Sequence, residues 1–241
     1  MFHPEGPTFC ELARQALSST ERGYDLLAPK FEFTPFRTPD TLLRPIASLL
    51  GAEGSLQSGL DLCCGTGAGM ALLRPYCQRV VGIDFSQGMI EEGRRRTAQA
   101  PGNGTLEFVR GDVLDMPFDN EFDVAVCFGA LGHILPRDEP RFVQQIHRAL
   151  KPGGRVLFLT SEKPPIWSLT FLLSKAFNAA MHVRNWLIRP PFVMFYLTFL
   201  LPQAQRLLEA HGFQVQVLDR LYPPPLQSAR LVIATKNAPR D

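Results

Sequence analysis

The stretch "GLDLCCGTGAGM", residues Gly59–Met70, decides how the chain reads. Apolar residues around one acid, Asp61, run into a turn that carries Gly65, Gly67 and Gly69. A strand that ends in glycines before a helix leaves backbone N–H groups unpaired at the helix start, where anions are favoured. The dinucleotide fingerprint G-x-G-x-x-G would need a third glycine where Met70 stands. The pattern present is D-x-C-x-G-x-G, which leaves open which nucleotide-like ligand the turn holds.

Outward from this turn the chain alternates strand-like and helix-like runs. RVVGID is followed by SQGMIEEGRRRTAQA, then come LEFVRGD and FDVAVCFG, and then DEPRFVQQIHRAL with Phe142, Ile146 and Leu150 at helical spacing. KPGG stops that helix, RVLFLT has the continuous apolar character of a buried strand, and PQAQRLLEAHG, FQVQVLD and SARLVIATK close the chain. Such alternation predicts an α/β fold, a mostly parallel sheet with helices on both faces. Residues 1–57 read as a helical segment with Pro-rich joints (TPFRTP), and 58–241 as the core. Within the core, residues 163–202 hold both tryptophans, eight of the 24 aromatics and four Lys/Arg but no Asp or Glu, which marks them as an inserted hydrophobic lid.

The bulk numbers narrow the function. With 241 residues and 45% hydrophobic content the chain can bury one sizeable core, and a net charge of +2 is too small to imply a nucleic-acid partner. Five cysteines, two of them adjacent and none in C-x-x-C spacing, fit neither a disulfide framework nor a zinc site, so no metal is expected. The start MFHPEGPTFCELARQAL has no secretory pattern and no run is long enough to span a bilayer, which gives a cytoplasmic expectation.

The second strand tip, Asp84, stands where an acid can accept hydrogen bonds from two ribose hydroxyls, and Asp112 ends the third. In order and spacing, "LDLCCGTG", "VVGIDFSQGMI", "GDVLDMPF", "FDVAVCFGALGHI" and "LKPGGRVLFL" resemble the motifs of class I S-adenosylmethionine-dependent methyltransferases, the ubiquinone/menaquinone-biosynthesis branch above all. The resemblance implies a Rossmann-like seven-stranded sheet and S-adenosyl-L-methionine as cofactor. It implies that Gly65 and Gly67 turn against the cofactor's methionine part, with Asp61 near its ammonium and Cys63 where the commonest pattern has glycine. It further implies Asp84 and Phe85 at the ribose, Asp112 and the Val113 backbone at the adenine, and Phe128 and Gly129 along the methyl passage. Tyr24, in GYDLLAP, is expected to close over the cofactor from the N-terminal segment.

Methyl transfer from a sulfonium needs alignment and water exclusion, and a base only when the acceptor must lose a proton. His133, in GALGHI, lies at the right edge of the sheet to serve as that base, though a packing role suits it as well. No N-P-P-[YF] follows the fourth strand, which disfavours methylation of nucleic-acid bases. The expected reaction is O- or C-methylation of a small, hydrophobic acceptor. The aromatic segment 163–202 either caps the core or encloses that acceptor, with Arg184 and Arg189 available to an anionic group, and it has the cations for peripheral membrane contact. Two rival readings remain: a non-catalytic cofactor-binding regulatory protein, and an NAD-type oxidoreductase.

Overall fold

The computed structural model describes residues 3–52 and 54–238. Seven strands form one sheet in the order β3-β2-β1-β4-β5-β7-β6. They are β1 (Leu56–Leu62), β2 (Cys77–Asp84), β3 (Thr105–Arg110), β4 (Phe122–Cys127), β5 (Leu150–Ser161), β6 (Phe213–Leu218) and β7 (Ala229–Lys236). The first five pair in parallel, and β7 runs antiparallel to both neighbours. This is the mostly parallel α/β arrangement that the alternation implied, in the seven-stranded Rossmann-like form that the resemblance implied.

The strands form where apolar runs are buried on both faces. Leu60, Leu62, Val80, Val81, Val124 and Val126 have no solvent exposure at all. Helices α4 (Ala68–Leu73), α5 (Gln87–Thr97), α6 (Glu139–Ala149) and α8 (Gln203–Ala210) cover the sheet. Helix α6 does so through Phe142, Val143 and Ile146; of the three positions read at helical spacing, Phe142 and Ile146 lie on it, while Leu150 is already the first residue of β5.

N-terminal to the sheet lie α1 (Phe9–Ala16), α2 (Thr20–Leu27) and α3 (Asp40–Gly51). Thr8 and Glu11 cap α1 reciprocally, and Ser19 caps α2. Between β5 and α8 stands α7 (Leu169–Leu187), capped by Ser168. Among the described residues no helix is long and apolar enough to cross a membrane.

Strand β1 lies at the point where the chain's strand order reverses, with β2 on one side and β4 on the other. In open α/β sheets ligands bind outside the carboxyl ends of strands at such a point. The turn after β1, the tip of β2 and the turn after β4 all gather there.

Candidate functional site

A cavity of about 730 Å³ opens at this edge. That lies within the range of roughly 300–1,000 Å³ typical of small-molecule sites. Its floor is the β1 turn with Asp61, Cys63 and Gly65, flanked by Asp84 and Phe85. Phe128, Gly129 and His133 supply one wall and Tyr24 another, while Met194–Thr198 and Leu200 close it with mostly apolar side chains. Asp112 and Val113 do not line this cavity. Asp112 is solvent-exposed, and its Oδ1 accepts the Leu114 N–H at 2.9 Å within its own turn. Arg184 and Arg189 lie outside it too: the Arg184 guanidinium donates to the carbonyls of Ala16, Ser18 and Pro190.

The turn is shaped for a ligand. Gly65 and Gly67 have φ of 50° and 86°, and Cys63 adopts φ 52°, a left-handed conformation that costs a non-glycine residue about 1–2 kcal/mol. A Cβ built on Gly65 meets nothing closer than 4.0 Å, so the turn faces open cavity there. Gly67 is closed in, a Cβ there standing 2.6 Å from Thr97 Cγ2. Met70, where a dinucleotide site has its third glycine, is fully buried. Its sulfur lies against Gly82 of β2, so the close helix–strand contact is made by the strand's glycine, not the helix's.

The two buried acids differ. The Asp84 carboxylate accepts the Gly65 N–H on Oδ2 and the Ser86 N–H on Oδ1, each at 2.9 Å. These bonds tie the glycine turn to the tip of β2 and leave each oxygen one lone pair, enough for a vicinal diol. Burial raises the Asp84 pKa, opposed by those same N–H donors. Asp61 is 2% exposed, with Oδ2 accepting the Met70 N–H at 2.8 Å and a Cβ on Gly69 falling 2.5–2.6 Å from its carboxylate. No cation pairs with it among the described residues. Desolvation pushes its pKa up to about 8. A buried carboxylate beside a cavity and without a counterion fits a ligand that brings its own cation.

Tyr24 and His133 meet across the site. The Tyr24 hydroxyl lies 2.8 Å from His133 Nε2, and His133 Nδ1 lies 2.5 Å from the Val193 carbonyl. A carbonyl only accepts, so Nδ1 carries the proton and Nε2 accepts from Tyr24. Burial lowers the imidazole pKa and raises that of the phenol, so both groups are neutral. The Tyr24 ring stacks on Phe192 with centroids 6.3 Å apart.

Sequence reasoning missed the strap formed by residues 28–38. Glu32 bonds the Thr66 hydroxyl at 2.6 Å and pairs with Arg37 and Arg96, while Phe36 and Thr38 approach Gly129. Pro29, Pro35 and Pro39 deny this stretch a periodic pattern, and its acid among cations was the one available signal. Asp25, near the end of α2 just before the strap, accepts from the Ser86 hydroxyl and the Gly88 N–H. Among the described residues no group of His, Cys, Asp and Glu could hold a metal.

Residues 60–154 match the family model described as "Methyltransferase domain". The matched stretch runs from within β1 to the start of β5 and carries the glycine turn and the tips of β2 and β4. Around it, the chain is 42% identical over 109 residues to a demethylmenaquinone methyltransferase of Clavibacter sepedonicus, covering 44% of this chain and 42% of that protein. It is 36% identical over 117 residues to a 2-phytyl-1,4-naphtoquinone methyltransferase of Nostoc punctiforme, covering 47% and 50%. The chain thus spans about half the length of the curated relatives it matches. A magnesium protoporphyrin IX methyltransferase from Synechocystis, solved with bound SAH, shares the methyltransferase fold at TM-score 0.58 and 15% identity, covering 81% of this chain and 82% of that one.

Proposed function

We propose that the protein is an S-adenosylmethionine-dependent methyltransferase acting on a small hydrophobic acceptor of the quinol class, at oxygen or carbon. One observation carries this reading: a single cavity joins the glycine turn, two buried acids and an apolar wall. The cofactor, when bound, supplies an electrophilic methyl group. Gly65 gives the backbone clearance beside it, Asp61 accepts its ammonium, and Asp84 takes the ribose diol on its two remaining lone pairs. The adenine extends beyond the cavity on its Asp84 side, where the Gly111 N–H donates to the Asp84 carbonyl, toward Asp112 and the Val113 backbone. Cys63, Phe85, Phe128, Gly129 and Tyr24 complete the enclosure. The names of the Clavibacter and Nostoc relatives support a quinone-type acceptor, and the apolar side chains from Met194 to Leu200 suit one.

Tyr24 and His133 form the proton path. As the acceptor hydroxyl loses its proton to the Tyr24 oxygen, the phenol proton passes to His133 Nε2. The resulting imidazolium keeps its Nδ1–H on the Val193 carbonyl. Because both groups start neutral, the path carries one proton and leaves the Tyr24 oxygen uncharged.

The test is transfer of a labelled methyl group from S-adenosylmethionine to reduced, lipid-soluble quinones and to water-soluble phenols. Label is expected in the lipophilic acceptors. Cofactor binding without label in either class would indicate the regulatory reading instead.

A further inference from the structure

Helix α7 turns its apolar side outward. Its half-buried inner positions include Phe171, Ser174, Asn178, Met181, Arg184 and Asn185, and no residue of the helix is fully buried. The opposite face carries Leu169, Leu172, Leu173, Val183, Trp186 and Leu187, all between 55% and 77% exposed. With the exposed Ala176, Ala179 and Ala180 between Leu173 and Val183, these positions recur every three or four residues and make one stripe along a helix of about 28 Å. Trp167, 81% exposed, extends the stripe just before the helix. Exposed apolar surface on this scale marks a contact with something else.

Charge says what covers it. Residues 163–208 contain no Asp or Glu, while Lys163, Lys175 and Arg189 are exposed before, beside and after the stripe. A second copy meeting this face would set these cations against one another with no carboxylate of the segment to pair them. An anionic lipid surface satisfies both features, the stripe entering the acyl boundary and the cations meeting headgroup phosphates. The inner side of α7 is joined to the cavity: Asn178 exchanges two hydrogen bonds with the Tyr196 backbone, and Asn185 does the same with Phe192. Tyr196 lines the cavity wall.

We propose that the outward stripe of α7 lies flat on an anionic bilayer surface and sets the cavity wall against the lipid phase. This rests on the proposed function only for the claim that a lipid-dissolved acceptor enters there. The docking itself needs neither cofactor nor turnover.

The chain's two tryptophans, Trp167 and Trp186, both lie on this face, so intrinsic fluorescence reports it directly. The full chain is mixed with vesicles of phosphatidylcholine and with vesicles that also contain phosphatidylglycerol, and followed by tryptophan emission and flotation. A blue shift and flotation are expected with the anionic vesicles, weakened about tenfold or more with phosphatidylcholine alone or at high salt. The triple variant Leu172→Gln, Leu173→Gln, Val183→Gln alters only exposed side chains. It is expected to abolish flotation while keeping the unfolding midpoint and binding of S-adenosylhomocysteine. Equal flotation of the variant, equal binding to both vesicle types, or a blue shift from self-association without lipid would each overturn the proposal. Failed flotation with intact methyl transfer would sink the docking alone, whereas flotation without transfer would sink only the proposed activity.

Discussion

Replacing Asp61 by asparagine tests whether this acid receives the cofactor's ammonium. Asp61 is buried, accepts the Met70 N–H and has no cation among the described residues, and desolvation raises its pKa from 3.8 to about 8. At pH 7 such a group holds roughly 0.9 of a proton. An ammonium placed beside it favours the carboxylate, so binding expels that proton. Calorimetric titration with S-adenosylhomocysteine at pH 7, in phosphate and in Tris, measures the release from the difference in apparent enthalpy. The wild type is expected to release roughly 0.9 proton more than Asp61→Asn, and the variant to bind more weakly by about 1.5–3 kcal/mol, the worth of a charged hydrogen bond. Stability follows with a defined sign. The folded value lies above the unfolded one, so Asp61's contribution is full below pH 3.8 and is lost as pH rises through about 8. Across that window the loss is of the order of several kcal/mol, at about 1.4 kcal/mol per pH unit. Asparagine keeps an oxygen for the Met70 N–H but cannot ionise, so its denaturation profile should be flatter over pH 4–8. Equal proton release by both proteins would refute the reasoning.

Three further outcomes are expected. Asp84→Asn turns an amide N–H₂ toward one of the two N–H donors, Gly65 or Ser86; unfolding should show a loss of about 1–3 kcal/mol and titration a weaker cofactor. Gly67→Ala places a methyl 2.6 Å from Thr97 Cγ2 at φ 86°, and calorimetry should record a loss of about 1–3 kcal/mol; an unchanged midpoint would contradict the packing of the turn. Tyr24→Phe removes the hydroxyl that reaches His133, and turnover should fall about 10²–10⁴-fold with cofactor affinity unchanged.

The parallel core was legible because strand and helix periodicities alternate cleanly from Gly59 onward, and because one-residue landmarks such as Asp84 end their strands. The glycine turn was legible for the same local reason. Contacts between distant segments were not. His133 reads in sequence as a packing histidine more readily than as a base, and only the fold brings Tyr24, 109 residues earlier, to its Nε2. The run Arg94–Arg96 looks like a solvated face, and Arg95 behaves so by pairing with Glu92. All three are exposed, as that reading has it, and Arg96 also reaches Glu32 in the strap while Arg94 lies over the Phe108 ring. Asp112 stands two residues past the end of β3, where its carboxylate accepts within its own turn and does not line the cavity. In α7 the apolar period is visible in sequence, but periodicity alone does not say whether that side faces the core or the solvent.

The most direct measurement is a calorimetric titration of the purified chain with S-adenosylmethionine and, separately, with NAD. One-to-one saturable binding of S-adenosylmethionine and none of NAD is expected from the open Gly65 turn, the uncompensated Asp61 and the buried Met70. Binding of NAD in preference, or no binding of S-adenosylmethionine, would contradict it.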